Sequence, residues 1–283
     1  MTPVPRTLPV LLPDLLEWGD HSIQGKATVP AALLLDLLVR NTTEQTDLDS
    51  NTPPLVLRDA VFPRFLPADE VGRCTFEITL ESVPGEATST RATLTSRISL
   101  AGGINRTRIH AAVTLGGPVT ALPLPQLAGD FELSAERAYA ELIPFGPRYR
   151  NLHGAIQLGH DGGTAWACSP EPGFAEPSRA GCPYLFDSAL HLACLWGQRY
   201  AGVVAYPIGF SSRVLASPLA HGQRRCVVAP KSVMPQKLNF DLWLADADRR
   251  VCDTIVELAM APVAKGAQPP DWIVHPQAPH GTP

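Results

Sequence analysis

Several things that would class this chain quickly are missing from it. No apolar run approaches the roughly 20 residues that a membrane-spanning helix needs. The opening MTPVPRTLPVLLPDLL has no basic leader, and Pro9 and Pro13 interrupt its apolar residues, so no membrane span and no signal peptide are expected. The six cysteines (Cys74, Cys168, Cys182, Cys194, Cys226 and Cys252) are dispersed and form no CxxC pair. That pattern argues against a zinc site or a disulfide framework and for reduced thiols in a cytoplasmic protein. Basic residues are scattered and the net charge is −4, which leaves no footprint for nucleic acid. The 29 prolines punctuate short elements and form no low-complexity tract. No segment resembles a carrier protein.

What is present is a chain of 283 residues, 45% hydrophobic and 18% charged, long enough for one large core or two packed halves of about 130 residues each. The residues read as two passes through one plan. In the first, a turn-rich entry, WGDHSIQGKATVP, leads to an apolar helix, PAALLLDLLVRN, with Pro30 suited to its first position. Leu33, Leu34, Leu35, Leu37 and Leu38 cover most of its circumference, which predicts burial on several sides. Four alternating stretches follow: LVLRDAVFP, RCTFEITLESV, TRATLTSRISL and TRIHAAVTLGG. A Pro-rich bridge, placed at about 116–130, then leads to a short helix, SAERAYAELI. The second pass has strands AIQLGH and GTAWACS, a loop, the apolar helix YLFDSALHLACLWGQRYA, and strands RCVVAPKSV, KLNFDLWLAD and RRVCDTIVELAMAPV. This predicts an α+β protein with domains at 1–120 and 121–283 and an irregular tail after about 264.

Three segments carry chemistry. The first is His21-Ser-Ile-Gln-Gly25-Lys-Ala-Thr-Val-Pro30, the second Cys182-Pro183-Tyr-Leu-Phe-Asp187-Ser-Ala-Leu-His191, the third Phe145-Gly146-Pro147-Arg148-Tyr149. The first resembles the HxxxGxxxxP motif of polyketide-synthase dehydratases at every fixed position. The second is similar to their HPxxxDxxx(Q/H) motif, with Cys182 in place of the first histidine. The third resembles their YGPxF motif with the two aromatics exchanged, so that Phe145 lacks the hydroxyl usual there. Order and spacing agree over nearly the whole chain, and FGPRYRNLHG with the LWG after the Asp187 helix looks like the enediyne and polyunsaturated-fatty-acid synthase type.

The resemblance implies a double hot-dog fold: two tandem units, each a long helix wrapped by an antiparallel sheet. It implies a hydro-lyase that removes water from a 3-hydroxyacyl thioester on an acyl carrier protein, giving a 2-enoyl thioester in polyketide or related biosynthesis. His21 would be the base and Asp187 the acid; Gly25, Pro30, Phe145, Gly146, Tyr149 and His191 would surround the substrate. No metal and no cofactor are expected beyond the carrier's phosphopantetheine arm. Carrier protein or other synthase domains are the expected partners, and a homodimer is compatible with the plan.

The chemistry explains the residue types. Dehydration needs a base for a weakly acidic α-proton, and a neutral imidazole suits it. It also needs an acid for a poor leaving group, and burial in an apolar tunnel is expected to raise the affinity of Asp187 for its proton. Backbone N–H groups near Gly25 or at a helix start are candidates to stabilise the thioester oxygen. Asp187 and His191 are four apart and share a helix face. Of the other histidines, His110 reads as structural and His153 as a candidate tunnel residue, whereas His160, His221, His275 and His280 read as loop or tail. Two alternatives keep the scaffold: a cyclase of the product-template or pyran-forming type, and a non-catalytic acyl-binding hot-dog.

Overall fold

The structure, a computed structural model, describes residues 4–12, 16–45, 54–86, 88–99, 105–119, 122–170, 178–216, 222–263 and 267–274. His221, His275 and His280 lie outside the described residues.

Period-two alternation is plain in β6 (Thr75–Ser82) and β7 (Thr90–Ser99), where Phe76, Ile78 and Leu80, and Ala92, Leu94 and Ser96, are buried between more exposed neighbours. With β1 (Arg6–Val10), β4 (Leu55–Val61) and β8 (Asn105–Leu115) they form one flank of a sheet. The other flank holds β9 (Phe131–Ser134), β10 (Leu152–Gly159), β11 (Gly162–Cys168), β12 (Ala205–Leu215), β13 (Gln223–Met234), β14 (Lys237–Ala245) and β15 (Val251–Pro262). The flanks join through β4 and β12, antiparallel from Leu55 opposite Leu215 to Val61 opposite Gly209. The result is one continuous twelve-stranded sheet in the order β1-β6-β7-β8-β4-β12-β15-β14-β13-β11-β10-β9. Pro9 is accommodated because β1 is an edge strand. A separate small sheet contains β2 (Ser22–Ile23), β3 (Lys26–Val29) and β5 (Leu66–Pro67).

Two helices fill the concave side. Helix α1 (Ala31–Gln45) packs on β6, β7 and β8, and α4 (Pro183–Trp196) packs on β11 to β14; the two helices also touch each other. In α1, Leu34, Leu35 and Leu38 are buried while Leu33 and Leu37 are partly exposed. Pro30 stands just before the helix, its carbonyl accepting from the Leu33 and Leu34 N–H groups, rather than inside its first turn. The helix runs four residues past the apolar stretch, and along it Asn41, Thr42 and Thr43 turn their side chains back onto the carbonyls of Leu37, Leu38 and Val39. All fourteen residues of α4 are buried, and Gly202, with φ of 64°, ends the π-helical turn Gly197–Ala201 that follows.

Shorter helices are α2 (Ala68–Val71), α3 (Ala135–Glu141) and α5 (Asp271–Val274). Helix α5 falls in the tail expected to be irregular; Ile273 is fully buried there and the Arg137 guanidinium lies 3.6 Å over the Trp272 ring. Two helices each wrapped by antiparallel sheet give the α+β double hot-dog. Among the described residues no helix is long and apolar enough to cross a membrane.

Candidate active site

The segment from His21 to Pro30 closes on itself. Gln24 and Gly25 form a two-residue turn with φ of 51° and 75°, the conformation that a hairpin of this length favours and that glycine adopts without strain. The return strand brings Thr28 opposite His21. Thr28 donates its N–H to the His21 carbonyl at 2.9 Å, and His21 Nδ1 lies 2.8 Å from the Thr28 carbonyl. A carbonyl only accepts, so Nδ1 carries the proton and Nε2 keeps a free lone pair. Gly25 thus acts at an exposed turn and is not a cavity residue, which corrects the expectation that it binds substrate.

The Phe145–Tyr149 segment clamps His21 from the other half. Gly146 donates to the Asp20 carbonyl at 2.6 Å and the Arg148 N–H donates to Asp20 Oδ2 at 3.2 Å. A Cβ on Gly146 would lie 2.1 Å from Asp20 Oδ1, so any other residue there would displace the Asp20 side chain. Phe145 stacks on His21 with centroids 4.4 Å apart, and Tyr149 tilts against it at 5.1 Å.

Helix α4 supplies the other groups. Asp187 Oδ2 lies 2.9 Å from His191 Nε2, close but misaligned, since neither atom completes a hydrogen bond among the described residues. On the far side of the ring, the Tyr139 hydroxyl lies 3.2 Å from Nδ1 while accepting the Leu152 N–H at 2.9 Å. His191 also tilts against Phe145 at 5.0 Å, so Phe145 touches both imidazoles.

His21, Phe145, Asp187 and His191 line one narrow cavity. Its other walls include Ile23, Val29, Leu34, Ile143, Leu190 and Cys194, so it is largely apolar. Along α4 the lining residues Asp187, Leu190, His191 and Cys194 fall on one face. Pro30, Gly146 and Tyr149, expected around the substrate, do not line it: Pro30 starts α1, Gly146 holds Asp20, and Tyr149 packs behind His21 against Tyr184. Tyr149 therefore does not return to the cavity the hydroxyl that Phe145 lacks. His153 is not a lining residue either; it lies on β10, 3.4 Å from the Gln223 amide. His110 is buried and bonded to Ser96 Oγ at 2.7 Å, and His160 packs on Tyr200. Asp20, Thr28 and Tyr139 were not singled out by sequence: each acts on a residue brought near by the fold, and only the place of Asp20 beside His21 offered a hint.

Electrostatics separates the two principal groups. Burial holds the proton affinity of His21 below that of a free imidazole, although Asp187 pulls the other way. For Asp187 burial would raise the affinity, as expected from sequence. The facing His191, with a smaller contribution from His21, outweighs it and leaves Asp187 below the usual carboxylate range. The expected direction is thus reversed by a neighbour one helical turn away. Among the described residues no group of three His, Cys, Asp or Glu is arranged to hold a metal ion.

Comparison with known proteins fits this geometry. Solved dehydratase domains share the fold. They include the one from the CurJ module of the curacin polyketide synthase (TM-score 0.70, 17% identity, 87% of each chain covered) and that of PpsC from Mycobacterium tuberculosis (0.69, 18%, 92% of this chain and 94% of that one). An N-terminal dehydratase from the difficidin assembly line is also similar (0.71, 14%, 94% and 96%). No curated protein matches. The family model described as the polyketide synthase dehydratase N-terminal domain matches residues 129–270, just over half of the chain and mostly its second half. The chain belongs to the polyketide synthase dehydratase family.

Proposed function

We propose that this protein removes water from a 3-hydroxyacyl thioester carried on the phosphopantetheine arm of an acyl carrier protein, leaving a 2-enoyl thioester. One observation carries the reading: His21 from the first half and Asp187 from the second line the same apolar cavity. His21 is neutral with Nε2 free, and takes the proton from C2. The electron pair of that C–H bond forms the C2–C3 double bond as the C3–O bond breaks. The oxygen leaves as water with a proton supplied by the Asp187–His191 pair. The proton on His21 then returns through solvent to restore that pair. Phe145 packs on both imidazoles, and Tyr139 orients His191. The apolar walls suit an acyl chain. The PpsC domain was solved in complex with C12:1-CoA, and that neighbour's ligand is of the same chemical kind. The expected setting is the cytoplasm, beside a carrier or other synthase domains.

The test is incubation with a 3-hydroxyacyl thioester and detection of the dehydrated product by mass spectrometry. His21→Ala should lose about 10²–10⁴-fold in turnover with the fold intact, and Asp187→Asn should still bind substrate while turning over at least about 10²-fold more slowly. Near-normal turnover in a folded His21→Ala variant would remove His21 from the mechanism.

A further inference from the structure

The cavity changes character between its two ends. Its chemical end, with His21, Asp187 and His191, is buried; Arg64 and Phe65, in the loop after β4, and Tyr206 and Pro207, at the start of β12, are its more exposed residues. Arg64 is the one lysine or arginine that lines it, and it has no hydrogen bond or ion pair among the described residues. An arginine with no carboxylate beside an otherwise apolar opening is available to an anion from outside. The loop that carries it is pinned on both sides. Phe62 is buried and donates its N–H to the Ile208 carbonyl at 2.8 Å, and Leu66 is fully buried and pairs with Val29. Between these anchors Phe65 remains 47% exposed, edge-on to Tyr206 of the other half with centroids 5.3 Å apart.

We propose that Arg64 binds the phosphate of the phosphopantetheine arm and that the Phe65–Tyr206 pair packs on the geminal dimethyl carbon next to that phosphate. This rests on the reading that the substrate arrives as such a thioester. The match is chemical: the arm places an anionic phosphate beside a branched apolar carbon, and the mouth places a guanidinium beside two aromatic rings. A guanidinium reaches two phosphate oxygens at once. Because the phosphate lies at the far end of the arm from the reacting carbons, its recognition acts on capture of the substrate rather than on the chemical step.

The experiment uses the full chain and one 3-hydroxyacyl group attached either to pantetheine or to phosphopantetheine. The wild type should favour the phosphorylated thioester by about tenfold or more in kcat/KM, the order of one charge-assisted contact. Arg64→Ala should bring that ratio close to one, and Arg64→Lys should keep part of it, since lysine keeps the charge but not the fork. Added salt should narrow the wild-type ratio more than that of Arg64→Ala. Equal ratios in wild type and Arg64→Ala overturn the proposal. If the wild type turns over neither thioester, the dehydration reading fails on its own. Arg64 is then judged by equilibrium titration with S-alkyl phosphopantetheine against S-alkyl pantetheine: a wild-type preference lost in Arg64→Ala supports the assignment, and no preference overturns it.

Discussion

Two buried histidines, His110 on strand β8 and His191 on helix α4, act in different ways. His110 is 1% exposed and bonded to Ser96, and burial lowers its pKa to about 4 from 6.5. The unfolded chain therefore binds this proton first as pH falls. The stability gained by keeping His110 neutral is whole above about 6.5 and lost between there and about 4, some 3 kcal/mol in all. Urea denaturation midpoints measured between these limits should fall with pH in the wild type and fall less in His110→Gln, which retains a partner for Ser96. His191 acts on its neighbour instead. With glutamine there, the neighbour that holds Asp187 low is gone and burial prevails. The Asp187 carboxyl signal followed by carbon-13 NMR should then titrate at higher pH in His191→Gln than in the wild type; an unmoved titration would show that His191 does not set the acidity of Asp187.

At the scale of elements, the spacing of His21, Gly25 and Pro30 has a mechanical explanation. The turn at Gly25 folds Thr28 back onto His21, and Pro30 begins the helix that follows. The Phe145–Tyr149 segment completes the arrangement through Asp20. Gly146→Ala should keep the fold but displace Asp20 and with it His21, lowering kcat by about tenfold or more, since small misplacements of a catalytic group are costly; an unchanged kcat would mean that the clamp does not position His21. Much of this was legible: both long helices and most strands follow from hydrophobic period, and His21 and Asp187 from their motifs. Strand β12 was not, because Pro207 and Gly209 break its alternation, with a bulge between them. Tyr139 was not, because 52 positions separate it from the ring it orients. The acidity of Asp187 was misread because burial is visible in an apolar stretch, whereas the 2.9 Å approach of His191 is a matter of rotamers.

Over the whole molecule, the five strands before residue 116 and the seven after residue 130 share one ladder, and the cavity takes walls from both. Opening either side would expose buried backbone at β4 and β12 as well as the shared apolar walls. Unfolding followed by far-ultraviolet circular dichroism and by tryptophan fluorescence should therefore give one coincident transition; two separated transitions would mean that the halves are stable apart. The antiparallel seam between β4 and β12 has another use. Its hydrogen bonds join strands on opposite sides of the bridge and do not depend on the bridge's covalent continuity. A gene divided within 116–130 would encode two fragments that carry one proposed catalytic group each, so recovery of turnover on mixing them would report their association.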